Sequence, residues 1–306
     1  MGLNDLQTDL LAENGHVISV SNWLPESGEA PRAVIQIYHG LGEHAARYER
    51  FAKVCNNSGF AVVAHDHRGH GAAADLAGHY ADHAGWDKVI ADALLVNQRA
   101  KKQFPEVPII LLGHSMGSYI AQSFVMRHPA AVSMLILSAS TFANRFELRA
   151  ANTLSSILAL FGGQTKSAFL NNTGFSAFNK AFEPARTELD WLSRDNAEVD
   201  RYLADPLCGG LFTNQLWRDL TGGLLEITSA NAVAAIPREM PILIMGGQDD
   251  PVGGEKGLTR LAEVYRRTAH ADMTLKIYAG GRHEMLNETN RDEVTADIIS
   301  WIESRL

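Results

Sequence analysis

Short apolar runs rich in β-branched residues alternate with longer amphipathic segments along most of this chain of 306 residues. Several of these runs are continuously apolar, which is typical of parallel strands that are buried on both faces. Strand–helix alternation with short connections requires right-handed crossovers. The pattern therefore predicts an α/β fold with a doubly wound, mostly parallel sheet. The six clearest strands are AVIQIY (33–38), FAVVAH (60–65), PIILLG (108–113), SMLILS (133–138), PILIMG (241–246) and TLKIYA (274–279).

The segments between the strands have helical periodicity. Val89, Ala93 and Val96, for example, recur at a spacing that gives a helix one apolar face. The predicted helices cover residues 47–57, 86–103, 118–127, 257–268 and 291–305.

The alternation stops after residue 141 and resumes at about residue 237. The region between contains no convincing strand, and it carries two apolar stretches, LSSILALF (154–161) and FLNNTGFSAF (169–178). We interpret it as an inserted, mainly helical cap over the carboxyl edge of the sheet, where open α/β sheets bind ligands. The predicted organisation is a core of residues 1–141 and 237–306 with a cap of residues 142–236; the alternative is an insertion that forms a separate, non-catalytic domain.

The sharpest motif is GHSMG, residues 113–117, a G-x-S-x-G sequence. It directly follows the strand PIILLG and opens an apolar helical segment, which is the strand–turn–helix context of a nucleophile elbow. A serine in such a strained turn needs small neighbours, and Gly113 and Gly117 flank Ser115 on both sides. The motif predicts that Ser115 is a catalytic nucleophile rather than a helix-capping serine.

A serine nucleophile needs a general base, and the base needs an orienting carboxylate. In enzymes with this turn, the acid follows the serine along the chain and the histidine follows the acid. Past the cap only His270 and His283 remain, and His283 lies in a glycine-rich loop after a strand, whereas His270 is predicted to be a surface residue of a helix. His283 is therefore the predicted base. Asp249 and Asp250 compete for the third role, and we favour Asp250, because the following proline biases it toward an extended conformation.

The negative oxygen of a tetrahedral intermediate must be stabilised by backbone N–H groups. One predicted donor is Met116, the residue after the nucleophile. The other is Leu41, in the sequence HGLGEH (39–44) that follows the first strong strand.

The run HDHRGH, residues 65–70, contains three histidines at a spacing similar to that of dinuclear zinc hydrolases. That zinc pattern has an aspartate directly before its third histidine, whereas this chain has Gly69. A hydrolytic zinc also needs about three protein ligands. We therefore interpret the run as a scaffold loop, and we predict neither a metal nor a cofactor.

Five motifs, HGLGEH, HDHRGHG, GHSMG, GGQDDPV and GGRHEML, occur in this order over nearly the whole chain. Together they resemble the monoacylglycerol lipase and lysophospholipase group of serine hydrolases, in the α/β-hydrolase superfamily. The resemblance implies the α/β-hydrolase fold, a triad of Ser115, Asp250 and His283, and oxyanion donors at Leu41 and Met116. It also implies a substrate with a single acyl chain.

Charge and composition limit the partners. The formal net charge is −8 and no basic stripe is present, which disfavours nucleic acid. No apolar run approaches the ~18 residues of a membrane span, and the first residues do not form a signal peptide, so we expect a cytoplasmic protein without stable membrane insertion. Its two cysteines, Cys55 and Cys208, form no spaced framework. The oligomeric state is left open.

The predicted activity is hydrolysis of a small acyl ester through an acyl-enzyme. One alternative is an aminopeptidase of the proline-iminopeptidase kind, which would need cap carboxylates such as Glu183, Glu188 or Asp190 to hold a free amino group. Another is a hydrolase-fold binding protein without catalysis. Such proteins usually lack a member of the triad, and this sequence lacks none.

Overall fold

The sheet dominates the computed structural model, which describes residues 8–26, 28–175 and 177–306. In this described part, eight strands form one sheet in the order β1-β2-β4-β3-β5-β6-β7-β8. Strands β3 to β8 are parallel, whereas β2 pairs antiparallel with β4 and β1 antiparallel with β2. The strands are β1 (Thr8–Leu11), β2 (Val17–Trp23), β3 (Ala33–Tyr38), β4 (Phe60–His65), β5 (Ile109–His114), β6 (Met134–Ser138), β7 (Ile242–Gly247) and β8 (Met273–Tyr278).

The helices lie on both faces of the sheet. One apolar core joins one face to the helices of residues 85–103, 116–127 and 254–267, and a second joins the opposite face to the helices of residues 49–57 and 291–303. The predicted fold class, a doubly wound and mostly parallel α/β sheet, is confirmed. The helices are α1 (Glu49–Asn57), α2 (Gly85–Gln103), α3 (Met116–Arg127), α4 (Arg145–Gly162), α5 (Ala168–Phe175), α6 (Asn196–Ala204), α7 (Asn214–Ile227), α8 (Ala230–Val233), α9 (Gly254–Arg267) and α10 (Arg291–Glu303).

All six strands predicted from the sequence are confirmed, with ends that differ by one residue at most. The hairpin of β1 and β2 was missed. Its turn contains Asn14-Gly15, in which Gly15 has a φ of 80°, and Asn-Gly is a strong hairpin signal. The signal was present, but β1 has only four residues and gives no clear period.

Helices α4 to α8 follow β6 and precede β7, in the region predicted as a cap. Its boundaries at residues 142 and 236 stay a prediction. Helix α7 docks on the core at Gly223, where an added Cβ would lie 2.2 Å from the indole of Trp86 in α2. The Trp86 indole N–H in turn donates to Ser123 Oγ in α3 at 3.1 Å. Close glycine–tryptophan contact therefore joins the inserted helices to the core.

Among the described residues, no helix is both long and apolar enough to cross a membrane.

The contact at Gly223 generates a prediction with a neighbouring control. Gly223→Ala should lower the free energy of unfolding by about 1–3 kcal/mol, because the methyl group overpacks the contact with Trp86. Gly222→Ala should raise it by up to about 1 kcal/mol, because its Cβ would meet nothing closer than Asn152 Nδ2 at 3.6 Å and alanine favours a helix. Urea unfolding of both variants measures the two values. Equal effects of the two substitutions would contradict this packing.

Candidate active site

Ser115 connects the end of β5 to the start of α3 in a strained conformation. Its φ is 51° and its ψ is −120°, a region that a non-glycine residue occupies only at a cost of roughly 1–3 kcal/mol. The backbone N–H of Ser115 donates to the Ser138 carbonyl oxygen of β6 at 3.0 Å. The turn is thus held by the neighbouring strand, and it directs the serine side chain away from the sheet.

The two glycines of GHSMG permit this turn. A Cβ on Gly113 would lie 2.4 Å from the Gly117 carbonyl oxygen. A Cβ on Gly117 would lie 2.0 Å from the Tyr38 carbonyl oxygen of β3. Any side chain at either position would push the helix away from the sheet, so the sequence needs glycine there.

His283 and Asp250 meet at the same edge of the sheet, on the loops that follow β8 and β7. Nδ1 of His283 lies 2.9 Å from Oδ1 of Asp250, and both side chains are nearly inaccessible. The Val252 N–H donates to the same Asp250 oxygen at 2.9 Å, which fixes the carboxylate. Asp249, the competing residue, is exposed. With Nδ1 bonded to the carboxylate, Nε2 is the ring nitrogen left for a substrate-side proton.

The surroundings of His283 raise its pKa above the ordinary value of 6.5. Burial lowers the pKa, but the negative charge and the hydrogen bond of Asp250 outweigh it, with smaller contributions from Glu284 and Glu43. Two rings enclose the imidazole, His114 and Trp191, each with its centroid 4.9 Å away. The site therefore stabilises an imidazolium, which is what a general base becomes after it has taken a proton.

The loop that carries Leu41 is fixed by hydrogen bonds on either side of that residue. His39 Nε2 accepts from the His67 N–H at 2.9 Å, so its proton is on Nδ1, which donates to the Gly40 carbonyl oxygen at 2.8 Å. The Gly40 N–H donates to Glu43 at 2.6 Å. Within the described chain the Leu41 N–H has no hydrogen-bond acceptor, and the Met116 N–H begins a helix and so has none inside it. Both donors are available to a ligand.

Residues from the inserted region complete the support of this loop. The Gly42 carbonyl oxygen accepts from the Tyr202 hydroxyl at 2.6 Å and from the Gly209 N–H at 2.7 Å. Gly42 has a φ of 75°, so the conformation that presents its carbonyl depends on glycine. The position of the Leu41 N–H is therefore coupled to the segment 202–209.

A buried charge network that the sequence analysis missed lies behind the loop. Arg47 donates to Glu43 at 2.7 Å and, with two nitrogens, to Glu284 at 2.8 Å and 2.6 Å. Burial would raise the pKa of Glu43, but Arg47 and other nearby donors lower it to about 2. Glu284 follows His283 directly, so the network ties the base loop to the loop of Leu41. No sequence spacing pointed to it, because the two glutamates are far apart in the chain.

The histidines of HDHRGH are buried beside this loop. Burial lowers the pKa of His65 and His70 to about 3 and that of His67 well below its usual value, so they are uncharged at neutral pH. Within the described chain they belong to no group of three His, Cys, Asp or Glu ligand atoms close enough for one ion. The neighbouring Asp66 accepts from the Ala45 N–H at 2.8 Å. That this run serves as a scaffold loop stays a prediction.

His270 is not the surface helix residue that the sequence predicted. It lies three residues beyond the end of α9, its side chain is buried, and Nδ1 is 2.9 Å from Thr268 Oγ1. Its pKa is lowered by burial. The helix ends at Arg267 and the chain turns through Ala269, which has a φ of 62°, so the ring folds back inside.

One cavity of about 690 Å³ is lined by four of the five predicted site residues, and Asp250 lies behind His283 outside the lining. Its floor includes Ser115, His283, Leu41 and Met116. Its upper wall comes from the inserted region and is largely apolar and aromatic, with Phe175, Phe178, Trp191, Phe212, Trp217 and Leu220.

The two apolar stretches of the insertion differ in their relation to the cavity. Phe175 and Phe178, from the stretch 169–178, line the cavity. The stretch 154–161 does not line it. Leu160 and Phe161 on α4 are 81% and 88% exposed. The helical periodicity showed an apolar face but not which way that face points.

Comparison with known proteins adds family relationships to this geometry. A family model described as "Serine aminopeptidase, S33" matches residues 29–290. The chain is 29% identical to monoacylglycerol lipase of Mycolicibacterium smegmatis, over 93% of this chain and 92% of that protein. It is 30% identical to monoglyceride lipase of Mus musculus, over 97% of this chain and 90% of that protein.

Solved structures agree on the fold. A thermostable carboxyl esterase from Bacillus coagulans, solved in complex with glycerol, superposes with a TM-score of 0.90 at 28% identity, covering 99% of both chains. A soluble variant of monoglyceride lipase from Saccharomyces cerevisiae superposes with a TM-score of 0.76 at 20% identity, covering 99% of this chain and 96% of that one. At that identity, the second structure shows the fold alone.

The electrostatics of His283 predict its titration. In the unaltered protein its pKa should lie above 6.5. In Asp250→Asn the same pKa should fall by at least about one pH unit, because burial then acts without the compensating charge. Asp249→Asn, at the exposed neighbour, should leave it unchanged. NMR titration of the imidazole measures this pKa in the unaltered protein and in both variants. An unchanged pKa in Asp250→Asn would contradict the pairing of His283 with Asp250.

Proposed function

Because the chain belongs to the serine aminopeptidase S33 family, we propose that it works through an acyl-enzyme on Ser115, with His283 as the base and Asp250 as its orienting acid. The chain is a serine ester hydrolase, as its relatives and structural neighbours are named. One observation supports this assignment of roles. The strained Ser115 and His283 line the same cavity, and Nδ1 of that histidine is held by the carboxylate of Asp250.

In the first half of the reaction, Ser115 Oγ attacks the carbonyl carbon and His283 Nε2 takes the serine proton. The carbonyl oxygen becomes an oxyanion and accepts hydrogen bonds from the N–H groups of Leu41 and Met116. The C–O bond to the alcohol then breaks, and the imidazolium gives its proton to the leaving oxygen. In the second half, a water molecule repeats these steps on the acyl-serine and releases the acid.

We further propose that the substrate is an ester with a single acyl chain, of the monoacylglycerol or lysophospholipid type. Two relatives carry names of that class. The aromatic wall of the cavity suits an alkyl chain: the ring of Trp191 lies beside His283, and those of Phe175 and Phe178 pack against Trp191. Each buried methylene then contributes up to about 0.8 kcal/mol. The insertion also covers the serine, which favours a narrow substrate over a triacylglycerol.

An aminopeptidase is the second candidate, because one of the three cap carboxylates considered for holding an amino group lies at the cavity. Glu188 is exposed and lines it. The other two candidates offer less: Asp190 already accepts from the Arg186 N–H and from Thr187 Oγ1, each at 2.6 Å, and Glu183 is exposed outside the cavity lining. A single exposed carboxylate is weak recognition of an ammonium group, so the ester is favoured.

Loss of the nucleophile is the first functional prediction. Ser115→Ala should lower the kcat of ester hydrolysis by several powers of ten, since loss of a nucleophile from a triad costs up to ~10⁶. Asp250→Asn should lower kcat by about 10⁴ through the wrong imidazole tautomer. Asp249→Asn is the matched control and should cost little. A folded Ser115→Ala enzyme with near-normal turnover would exclude the mechanism. It would also argue against a binding protein without catalysis, because the protein would still turn over its substrate.

The acyl-chain series is the second functional prediction. kcat/KM for saturated monoesters should rise up to about fourfold per added carbon until the cavity is full. Phe178→Ala should flatten this rise, whereas Phe161→Ala, on the exposed face of α4, should leave it unchanged for substrates in true solution. Triolein and an amino-acid arylamide serve as contrasts. A flat profile in the unaltered enzyme would remove the acyl pocket, and a preference for the arylamide would favour the aminopeptidase.

A further inference from the structure

A second cluster of chemically active side chains lies outside the cavity, where the inserted region meets the loop of Leu41. Nε2 of His44 is 2.8 Å from Oδ2 of Asp205, and the thiol of Cys208 lies beside them. One ligand atom from each residue falls within 4.8 Å of the other two. Within the described chain, this is the only such group of three. From this geometry we propose that His44, Asp205 and Cys208 bind one divalent cation of the zinc class.

The donor set fits that chemical class. Imidazole, carboxylate and thiolate are the ligands that Zn²⁺ and Co²⁺ accept, and a soft sulfur disfavours Mg²⁺ and Ca²⁺. Metal–ligand bonds of about 2.0–2.3 Å place tetrahedral ligands roughly 3.4–3.6 Å apart. The three atoms already lie within reach of those separations, so small side-chain rotations complete the set. Water would fill the fourth position.

The backbone prepares the ligands from the inserted region. Oδ1 of Asp205 accepts from the Leu207 N–H at 2.9 Å, so Oδ2, which now accepts from Nε2 of His44, is the oxygen that would bind the cation. The Cys208 N–H donates to the Asp205 carbonyl oxygen at 3.0 Å, in a tight turn that presents both side chains on one side. His44 comes from the core, at the end of the loop 39–44, and its ring is buried.

The local charge also favours a dication. With the thiol protonated, three carboxylates and one guanidinium act on Cys208, which leaves two negative charges for the cation to balance; these groups are Asp205, Glu43, Glu284 and Arg47. Burial raises the pKa of the thiol to about 12, with Arg47 opposing the rise and the three carboxylates adding to it, so it is a thiol without metal. Binding replaces the S–H bond by a sulfur–metal bond and releases that proton to the buffer, and the proton on Nε2 of His44 moves to Nδ1 so that Nε2 can bind the ion.

Such an ion would join the inserted region to the loop that positions an oxyanion donor. Gly209, the residue after Cys208, donates to Gly42, and Leu41 precedes Gly42. The site is separate from the chemistry at Ser115, which needs no metal. The inference therefore does not depend on the proposed function.

Titration of the reduced full-length protein with CoCl₂ tests the site. We expect one Co²⁺ per chain, a thiolate-to-cobalt charge-transfer absorption in the near ultraviolet, and loss of that absorption when ZnCl₂ is added. Cys208→Ser should abolish the band, and His44→Gln and Asp205→Asn should each weaken binding by at least about tenfold. Cys55→Ala removes the other, buried cysteine and should change nothing.

Two further outcomes separate a bridging site from adventitious binding. Zn²⁺ should raise the Tm of the unaltered protein and of Cys55→Ala, because it binds the folded state, but not that of Cys208→Ser. Asp82→Asn is a control for surface binding, because the exposed carboxylate of Asp82 pairs with His79 away from this cluster, and it should keep the band. Absence of the band, or its persistence in folded Cys208→Ser, would overturn the proposal. If Cys208→Ser fails to fold, His44→Gln replaces it: unchanged Co²⁺ affinity in folded His44→Gln would overturn the proposal.

Discussion

The left-handed backbone of Ser115 is the constraint on which the rest of the site depends. A residue with a φ of 51° persists only where its surroundings oppose relaxation. Here the carbonyl of Ser138 holds its N–H, and the glycines on either side let α3 approach the sheet closely enough to hold the turn. The strain directs the hydroxyl into the cavity and leaves the N–H of Met116, at the start of the helix, directed toward the same place.

The other groups to which we assign catalytic roles come to the serine on loops, so each needs its own support. Asp250 is fixed by the Val252 N–H and fixes His283 in turn. Leu41 is held less directly, because its loop depends on His39 and Glu43 from the core and on Tyr202 and Gly209 from the inserted region. A change in the position of the insertion would therefore move the proposed oxyanion donor, while the serine and the histidine stay in place. This unequal support gives the insertion a route to influence turnover without contacting the proposed triad.

The sequence predicted the parallel sheet well because buried parallel strands are continuously apolar, and GHSMG marks its own turn through glycine. It predicted less where the outcome depends on tertiary packing. The direction of the apolar face of α4, the burial of His270 and the network of Arg47 with Glu43 and Glu284 all arise from contacts between distant segments. The approach of Asp205 and Cys208 to His44 likewise depends on contact between distant segments, the inserted region and the core. The hairpin of β1 and β2 is a different case, because its local sequence contains the turn signal Asn14-Gly15 and its formation does not depend on contacts between distant segments.

The central claim is that Ser115 is made nucleophilic by His283, and covalent trapping tests it most directly. The protein is incubated with a fluorophosphonate, and the adduct is quantified by intact mass and located by peptide mapping. The account predicts one adduct per chain, on Ser115, and a labelling rate lowered by several powers of ten in folded His283→Gln. An adduct on another residue, or a rate that does not respond to the loss of His283, would contradict it.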